Sequence, residues 1–304
     1  MKGIVLRSTG SFYTVLGDDG KRYNCRVRGK IRLEGIKETN PVAVGDHVAI
    51  DTEHDVGSIL EILPRKNHML RQSVKKTGHA HVLAANIDQV LVVATMAFPR
   101  TSTGFIDRVL VSAEAFEIPQ VLVLNKRDMM DEEDQGVAKA IDNLYTSIGV
   151  QVLITSALHE DLAPVAALLN GKTTLVAGHS GVGKSTLLNK IAPGIAQATG
   201  DISGYTEKGV HTTTFAETFE IGPGTFIIDT PGVKEWGLVD MNSQEISDYF
   251  PDMRTVRLDC KFQSRCLHMN EPGCAVKAAV AAGTIAQSRY DSYVKMATGF
   301  DNRK

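Results

Sequence analysis

The sequence predicts an α/β protein with a parallel-sheet core, preceded by a small all-β domain and followed by a short helical domain. Three observations carry this expectation. Thr173–Ala177 is an apolar run, Gly178-His179-Ser180-Gly181-Val182-Gly183-Lys184-Ser185 follows it, and Thr186–Ile191 reads as the opening of a helix. From residue 87 onward, near-continuous apolar runs alternate with amphipathic ones, the pattern of a parallel sheet covered on both faces. Residues 1–63 instead hold five short β-rich runs punctuated by Gly, Asp and Pro.

Bulk properties narrow the class. A chain of 304 residues with 43% hydrophobic side chains has material for two or three domains. The net charge of −2 gives the whole chain no basic character, but residues 1–80 carry 14 Lys/Arg against 9 Asp/Glu. No apolar run is long enough to span a membrane. Met1–Val5 leads straight into a strand without the form of a signal peptide, so a cytoplasmic location is expected.

In chain order, strands are expected at Gly3–Arg7, Phe12–Leu16, Tyr23–Val27, His47–Asp51 and Gly57–Ile62. Five strands of this length suit an OB-fold barrel, with an SH3-like barrel as the alternative. Lys21, Arg22, Arg26, Arg28, Lys30 and Arg32 cluster around the third strand; they form either a solvated basic loop or a surface for RNA phosphates. Residues 64–81 read as a linker, either a flexible hinge or a basic segment that folds on a partner: Pro64 stops the last strand, and Arg65, Lys66, Arg71, Lys75 and Lys76 follow with no acid among them. Strands are then expected at Gln89–Thr95, Gln120–Leu124, Gln151–Thr155, Thr173–Ala177, Phe215–Glu220 and Thr225–Asp229, with helices at Phe105–Phe116, Glu133–Ile148 and Leu162–Leu169. Ala275–Met296 reads as helix broken near Gly283, with Tyr290 and Tyr293 on one packed face.

The chemistry sits at the strand ends. The glycines of 178–185 let backbone N–H groups curl inward as a nest for phosphate oxygens, and the following helix adds its positive end. Lys184 would reach the β- and γ-phosphates, and the Ser185 hydroxyl would hold Mg²⁺. Asn125-Lys126-Arg127-Asp128 follows an apolar strand, where α/β sheets place ligand groups. Asp128 can accept two hydrogen bonds from guanine, which adenine does not offer. Asn125 could meet the purine edge and brace the loop, and the stem of Lys126 could cover the ring. Thr155-Ser156-Ala157 ends the next strand, where its backbone could meet the guanine carbonyl or Ser156 could simply cap a helix. Asp229-Thr230-Pro231-Gly232 ends another: Asp229 would hold Mg²⁺ through water and the Gly232 N–H would sense the γ-phosphate. Between them, Gly209-Val210-His211-Thr212-Thr213-Thr214 offers Thr212 or Thr213 as a hydroxyl that joins Mg²⁺ only when a γ-phosphate is present.

Cys260, Cys266, His268 and Cys274 crowd into a segment with Gly and Pro. Three thiolates and one imidazole make a closed tetrahedral Zn²⁺ shell, which is structural because it leaves no open position. Cys25 falls in a predicted strand and is expected to be a small core side chain.

These motifs resemble those of the translation-factor-like GTPases in a permuted order, with NKRD at 125–128 and TSA at 155–157 ahead of the phosphate loop. Together with Pro41-Val42-Ala43-Val44-Gly45-Asp46, Gly209–Thr214 and the cysteine cluster, they resemble the ribosome small-subunit-dependent GTPase A family over essentially the whole chain. The resemblance implies an N-terminal OB-fold β-barrel (1–66), a circularly permuted P-loop GTPase core (67–240) and a C-terminal zinc-binding α-helical domain (241–304). It implies hydrolysis of GTP to GDP, stimulated by the small ribosomal subunit, with a role in that subunit's late maturation and contacts to its rRNA. It places the nucleotide on Asn125, Lys126, Asp128, Ser156, Ala157, Gly178 to Thr186, Thr212, Thr213 and Asp229. One structural Zn²⁺ falls on the four clustered ligands, and a monomer is expected. Val233 stands where Ras-like enzymes have the water-orienting Gln, so the expected catalytic residues are Lys184, Gly232 and His211, the last alternatively a solvent-facing bystander. Two rival readings are a P-loop ATPase or kinase, which Asp128 opposes, and a non-catalytic RNA-binding adaptor that uses GTP as an ordering ligand.

Overall fold

The computed structural model describes residues 1–28, 41–72, 80–193, 216–229, 238 and 241–299. The first five strands are β1 (Lys2–Ser8), β2 (Tyr13–Gly17), β3 (Arg22–Val27), β4 (His47–Asp51) and β5 (Gly57–Ile62). β1 pairs antiparallel with both β2 and β4, β4 with β5, and β3 runs parallel to β5. That closed β1-β2-β3-β5-β4 circuit is the OB-fold barrel and removes every open edge within it. Alternation along the strands fills the interior with Val5, Val15, Cys25, Val48, Ile50 and Ile59; Cys25 is the packed core side chain the sequence suggested.

Residues 64–81 are not the linker expected. β6 (His68–Gln72) pairs antiparallel with β7 (Ala80–Ala85), and Met69 is fully buried in the main core. Within this run of positive charge, Arg65 and Lys66 find carboxylates distant in sequence. Arg65 donates through Nε to Asp46 Oδ1 (2.7 Å) and through Nη2 to Oδ2 (2.8 Å), while Lys66 meets Asp88 at 3.0 Å. Pro41–Asp46 explains itself here. Gly45 sits at φ +82°, and a Cβ there would stand 2.2 Å from the Ala85 carbonyl oxygen. Only glycine allows this approach of barrel to hairpin. Ala85 N–H donates to the Val44 carbonyl, and Asn86 Nδ2 to that of Gly45, both at 2.9 Å.

The main sheet runs β10 (Gln151–Ile154), β9 (Gln120–Leu124), β8 (Gln89–Ala94), β11 (Thr173–Ala177) and β13 (Thr225–Asp229), all parallel. β12 (Glu217–Gly222) closes the edge antiparallel to β13 and meets the barrel through the Arg7–Glu217 register. Successive β8 residues serve opposite faces. Val90, Val92 and Ala94 pack with α1 (Thr103–Glu114) and α2 (Glu132–Ser147). Leu91 and Val93 pack with α3 (Ala163–Leu169) and α4 (Lys184–Ile191). The sequence assigned these elements to within about two residues, the usual scatter of element ends.

The C-terminal part has short helical turns, including α5 (Pro251–Arg254), then α6 (Ala275–Ala281) and α7 (Gln287–Ala297). The break near Gly283 is present. Their core gathers Ile246, Phe250, Met253, Tyr293 and three cysteines.

Candidate functional site

The parallel strands β8, β9, β10, β11 and β13 all end at one edge, which brings together segments far apart in sequence. Gly178–Gly183 leaves β11, and Lys184 is the first residue of α4. Gly183 is the N-cap at φ +96°. The Lys184 ammonium, one of three donors on that group, donates to the carbonyls of Gly178 (2.7 Å) and His179 (2.9 Å). Burial lowers its pKa, against the opposing pull of Asp229. Asp229 ends β13 in register with Val176 of β11, beside the start of the loop. Ser180, Gly181 and Thr186 are exposed, Ser185 half-buried, and Gly178 and Val182 buried.

Asn125 is the hinge pin of this edge. Its side chain is buried; Nδ2 donates to the Val182 carbonyl (2.9 Å), and Oδ1 accepts the Ala157 N–H (2.9 Å). One amide thus joins three of the sequence motifs, across 57 and 32 residues. Lys126 adopts a left-handed φ of 64° and reaches the Phe98 carbonyl at 3.0 Å. Ser156 Oγ donates to Asp128 Oδ1 (2.5 Å), and His159 Nε2 lies 3.7 Å from Oδ2. Ser156 caps no helix: α3 begins behind Leu162. His211, Thr212, Thr213 and Gly232 lie outside the described residues, as do Lys30, Arg32, Lys75, Lys76 and Val233.

Three contributors escaped the sequence reading. Glu160 binds Arg127 (2.7 Å) and accepts from Thr155 Oγ1 (3.3 Å), tying the 125–128 loop to the 155–157 loop. Lys190 donates to the Leu158 (3.2 Å) and Glu160 (2.7 Å) carbonyls, tying α4 to the same place. Phe105 lays its ring on His179 at 3.9 Å. None of these forms a local pattern that would have announced it.

The four cluster ligands are buried, with all ligand atoms within 4.8 Å of one another. Cys260 and Cys274 sulfurs lie 3.9 Å apart, and each is 3.5 Å from His268 Nδ1. Tetrahedral zinc with normal bond lengths puts sulfurs about 3.8 Å apart and sulfur to nitrogen about 3.5 Å, so the residues fit that ion. His268 Nε2 meets Ser247 Oγ at 3.3 Å, which orients the ring. Burial pushes the Cys266 thiol up to about 12, with the neighbouring cysteines adding to it; a divalent cation supplies the charge that lets such thiols ionise.

Two family models match the chain: RsgA GTPase over residues 62–239 and RsgA N-terminal domain over 2–59. The chain belongs to the RsgA GTPase family. A relative from Bacteroides thetaiotaomicron, named small ribosomal subunit biogenesis GTPase RsgA 2, is 48% identical over 298 residues, covering 97% of this chain and 96% of that protein. One from Christiangramia forsetii is 46% identical over 98% of this chain and 96% of its own length. Among solved structures, YjeQ from Thermotoga maritima is similar with a TM-score of 0.77 and 34% identity, covering 100% of this chain and 99% of that one. YloQ, described as a circularly permuted GTPase, has a TM-score of 0.74 and 33% identity over 100% and 96%. As an RsgA-family member the protein is a GTP hydrolase with a circularly permuted core, which implies GTP, GDP and Mg²⁺ as its nucleotides and ion.

Gly183 offers a local test of how tightly this edge is built. A Cβ there would stand 2.3 Å from Asn125 Nδ2 and would force Asn125 off both of its partners. With the left-handed strain added, Gly183→Ala should lower unfolding stability by about 1–3 kcal/mol. Thermal unfolding measures it, and an unchanged melting temperature would contradict this account of the loop.

Proposed function

We propose that this GTPase binds its nucleotide along the strand ends around Asn125 and acts with the small ribosomal subunit in that subunit's biogenesis. The observation that carries the proposal is the Asn125 amide, which joins the 125–128, 155–157 and 178–185 segments into one site. The phosphates sit in the Gly178–Thr186 loop, with Lys184 turning from its own carbonyls to the β- and γ-phosphates. Asp128 reads guanine, with Ser156 and Ala157 beside it and Lys126 along the ring. Ser185, Asp229 and, in the GTP state, Thr213 or Thr212 would hold Mg²⁺, which would supply positive charge against the phosphates. Gly232 senses the γ-phosphate. Val233 has no polar group to orient water, so intrinsic turnover is slow, and His211 contributes once the site is completed on the subunit.

The assignment divides the chain at 1–66, 67–240 and 241–304, with a structural Zn²⁺ on Cys260, Cys266, His268 and Cys274. The barrel contributes an rRNA-facing surface: Arg26 covers the exposed Phe12 ring at 4.1 Å, and Lys21, Arg22 and Arg28 are exposed nearby. No helix among the described residues is long and apolar enough to cross a membrane. A cytoplasmic monomer is the form in which, on this reading, the protein meets the subunit.

Subunit binding tests the partner. Co-sedimentation at one fixed salt concentration should show tighter binding with a non-hydrolysable GTP analogue than with GDP, and binding should weaken as salt rises. Gly232→Ala should narrow the difference between nucleotides. Equal binding in the two nucleotide states would remove the proposed GTP-dependent grip. Nucleotide-dependent binding without turnover would favour the adaptor reading instead.

A further inference from the structure

Helix α1 has two buried faces. Phe105, Ile106, Val109, Leu110 and Ala113 belong to the core beneath the main sheet. Asp107, Val111 and Glu114, spaced as i, i+4 and i+7, face the other way. Val111 lies in the core of the C-terminal domain, and Glu114 pairs with Arg254 of α5. Asp107 is fully buried, and its Oδ1 meets Arg289 of α7 at 2.5 Å and the Tyr145 hydroxyl at 2.7 Å. Arg289, itself 1% exposed, forks onto Asp252 (3.1 and 3.0 Å) and lies over the Phe250 ring at 4.4 Å. Burial disfavours the Arg289 charge, but the two carboxylates outweigh it and raise its pKa. A buried ion cluster tolerates few other arrangements, because separating it strands a charge away from water; here Asp107 is held through Oδ1 alone, its buried Oδ2 making no hydrogen bond. The two domains are therefore joined here at one angle.

Both ends of this arrangement touch functional groups. At the N-terminus of α1, Phe105 packs against the His179 ring at a tilt of 37°, and the His179 carbonyl holds Lys184. Along α7, the hydroxyls of Tyr290 and Tyr293, one and four residues after Arg289, donate to the carbonyls of His268 (2.6 Å) and Leu267 (2.8 Å). An open cleft of about 260 Å³, lined in part by Phe105, His179, Ser288 and Lys295, lies between the phosphate loop and α7. The solid connection between them is α1.

We propose that α1 is a strut coupling the zinc-cluster domain to the phosphate loop, with Phe105, Asp107 and Arg289 as its positioning residues. A rigid element anchored at two sites transmits a shift at either one, and the coupling is reciprocal. The proposal rests on the assignment of Gly178–Ser185 to nucleotide phosphates. It assigns to a helix outside every nucleotide motif the task of reporting the state of the phosphate loop to residues 260–297.

Hydrogen exchange on the full-length, zinc-loaded protein tests it, with GDP and with a non-hydrolysable GTP analogue. Exchange in Gln287–Ala297 should differ between the two nucleotides in the native protein. Phe105→Ala should erase that difference and weaken the analogue about fivefold, a typical coupling factor, with zinc content unchanged. Phe105→Tyr keeps the ring and should restore both. Replacing Asp107→Leu, Asp252→Asn and Arg289→Met together removes the ion cluster without leaving a member of it charged and unpaired, and its effect on affinity should be non-additive with that of Phe105→Ala. If that charge-free variant does not fold, the exchange comparison of native protein and Phe105→Ala decides alone. Normal nucleotide affinity with indifferent α7 exchange in the native protein would overturn the strut and leave the site assignment standing. Absence of nucleotide binding in the native protein would overturn the site assignment itself.

Discussion

Asp128→Asn should lower GTP affinity by about 10²- to 10⁴-fold, the loss of two hydrogen bonds to a charged acceptor at about 1.5–3 kcal/mol each. The carboxylate already accepts from Ser156 Oγ and retains lone pairs for the N1–H and amino group of guanine. An amide in its place presents a donor where guanine also presents one, and where xanthine has an acceptor. Affinity for xanthosine triphosphate should rise correspondingly. The framework survives the change, because Asn125, not Asp128, braces the neighbouring loops. Competition of GTP, xanthosine triphosphate and ATP against a fluorescent nucleotide measures the effect. Unchanged GTP affinity would remove Asp128 from base reading.

Removing zinc should have the other large effect. Cys260, Cys266 and Cys274 are themselves core residues of the C-terminal domain, packed with Phe250, Met253 and Tyr293. The hydroxyls of Tyr290 and Tyr293 hang on carbonyls inside the ligand loop. Structural zinc contributes about 10–16 kcal/mol in small domains, comparable to the whole stability of an ordinary domain at about 5–15 kcal/mol. Chelation, or Cys266→Ser, should therefore unfold the chain from about residue 250 onward, read as lost amide protection there. GTP binding should persist, weakened only by about the fivefold factor expected for α1 coupling. Freshly purified protein without stoichiometric metal would contradict the assignment.

The chemistry-bearing segments were legible because their constraints are local. The phosphate-nest reading rests on closely spaced glycines just before a helix, and the metal-shell reading on four donors within fifteen residues, Cys260 to Cys274. The main-sheet strands were legible for a related reason: burial on both faces leaves continuous apolar runs such as Gln120–Leu124. What escaped depends on pairs distant in sequence. Arg65 and Lys66 looked like linker charges until Asp46 and Asp88 were found beside them. Asp107 drew no reading at all, because its partner Arg289 lies 182 residues away. Glu160 and Lys190 act on backbone carbonyls or on scattered side chains, contacts that impose no spacing rule. The barrel type was open until the parallel β3–β5 pairing closed the circuit, since strand count alone does not specify pairing order.

We propose that this GTP hydrolase, which carries Val233 directly after Asp229–Gly232, is completed by the small ribosomal subunit. Multiple-turnover phosphate release with purified small subunits, compared with the protein alone, tests it most directly. The account predicts slow release alone and a rise of about 10²-fold or more with subunits, the scale on which a supplied group can stabilise phosphoryl transfer. Within that assay, His211→Ala should lower the stimulated rate while leaving GTP affinity nearly intact. Equal rates with and without subunits, at saturating GTP and Mg²⁺, would contradict the account.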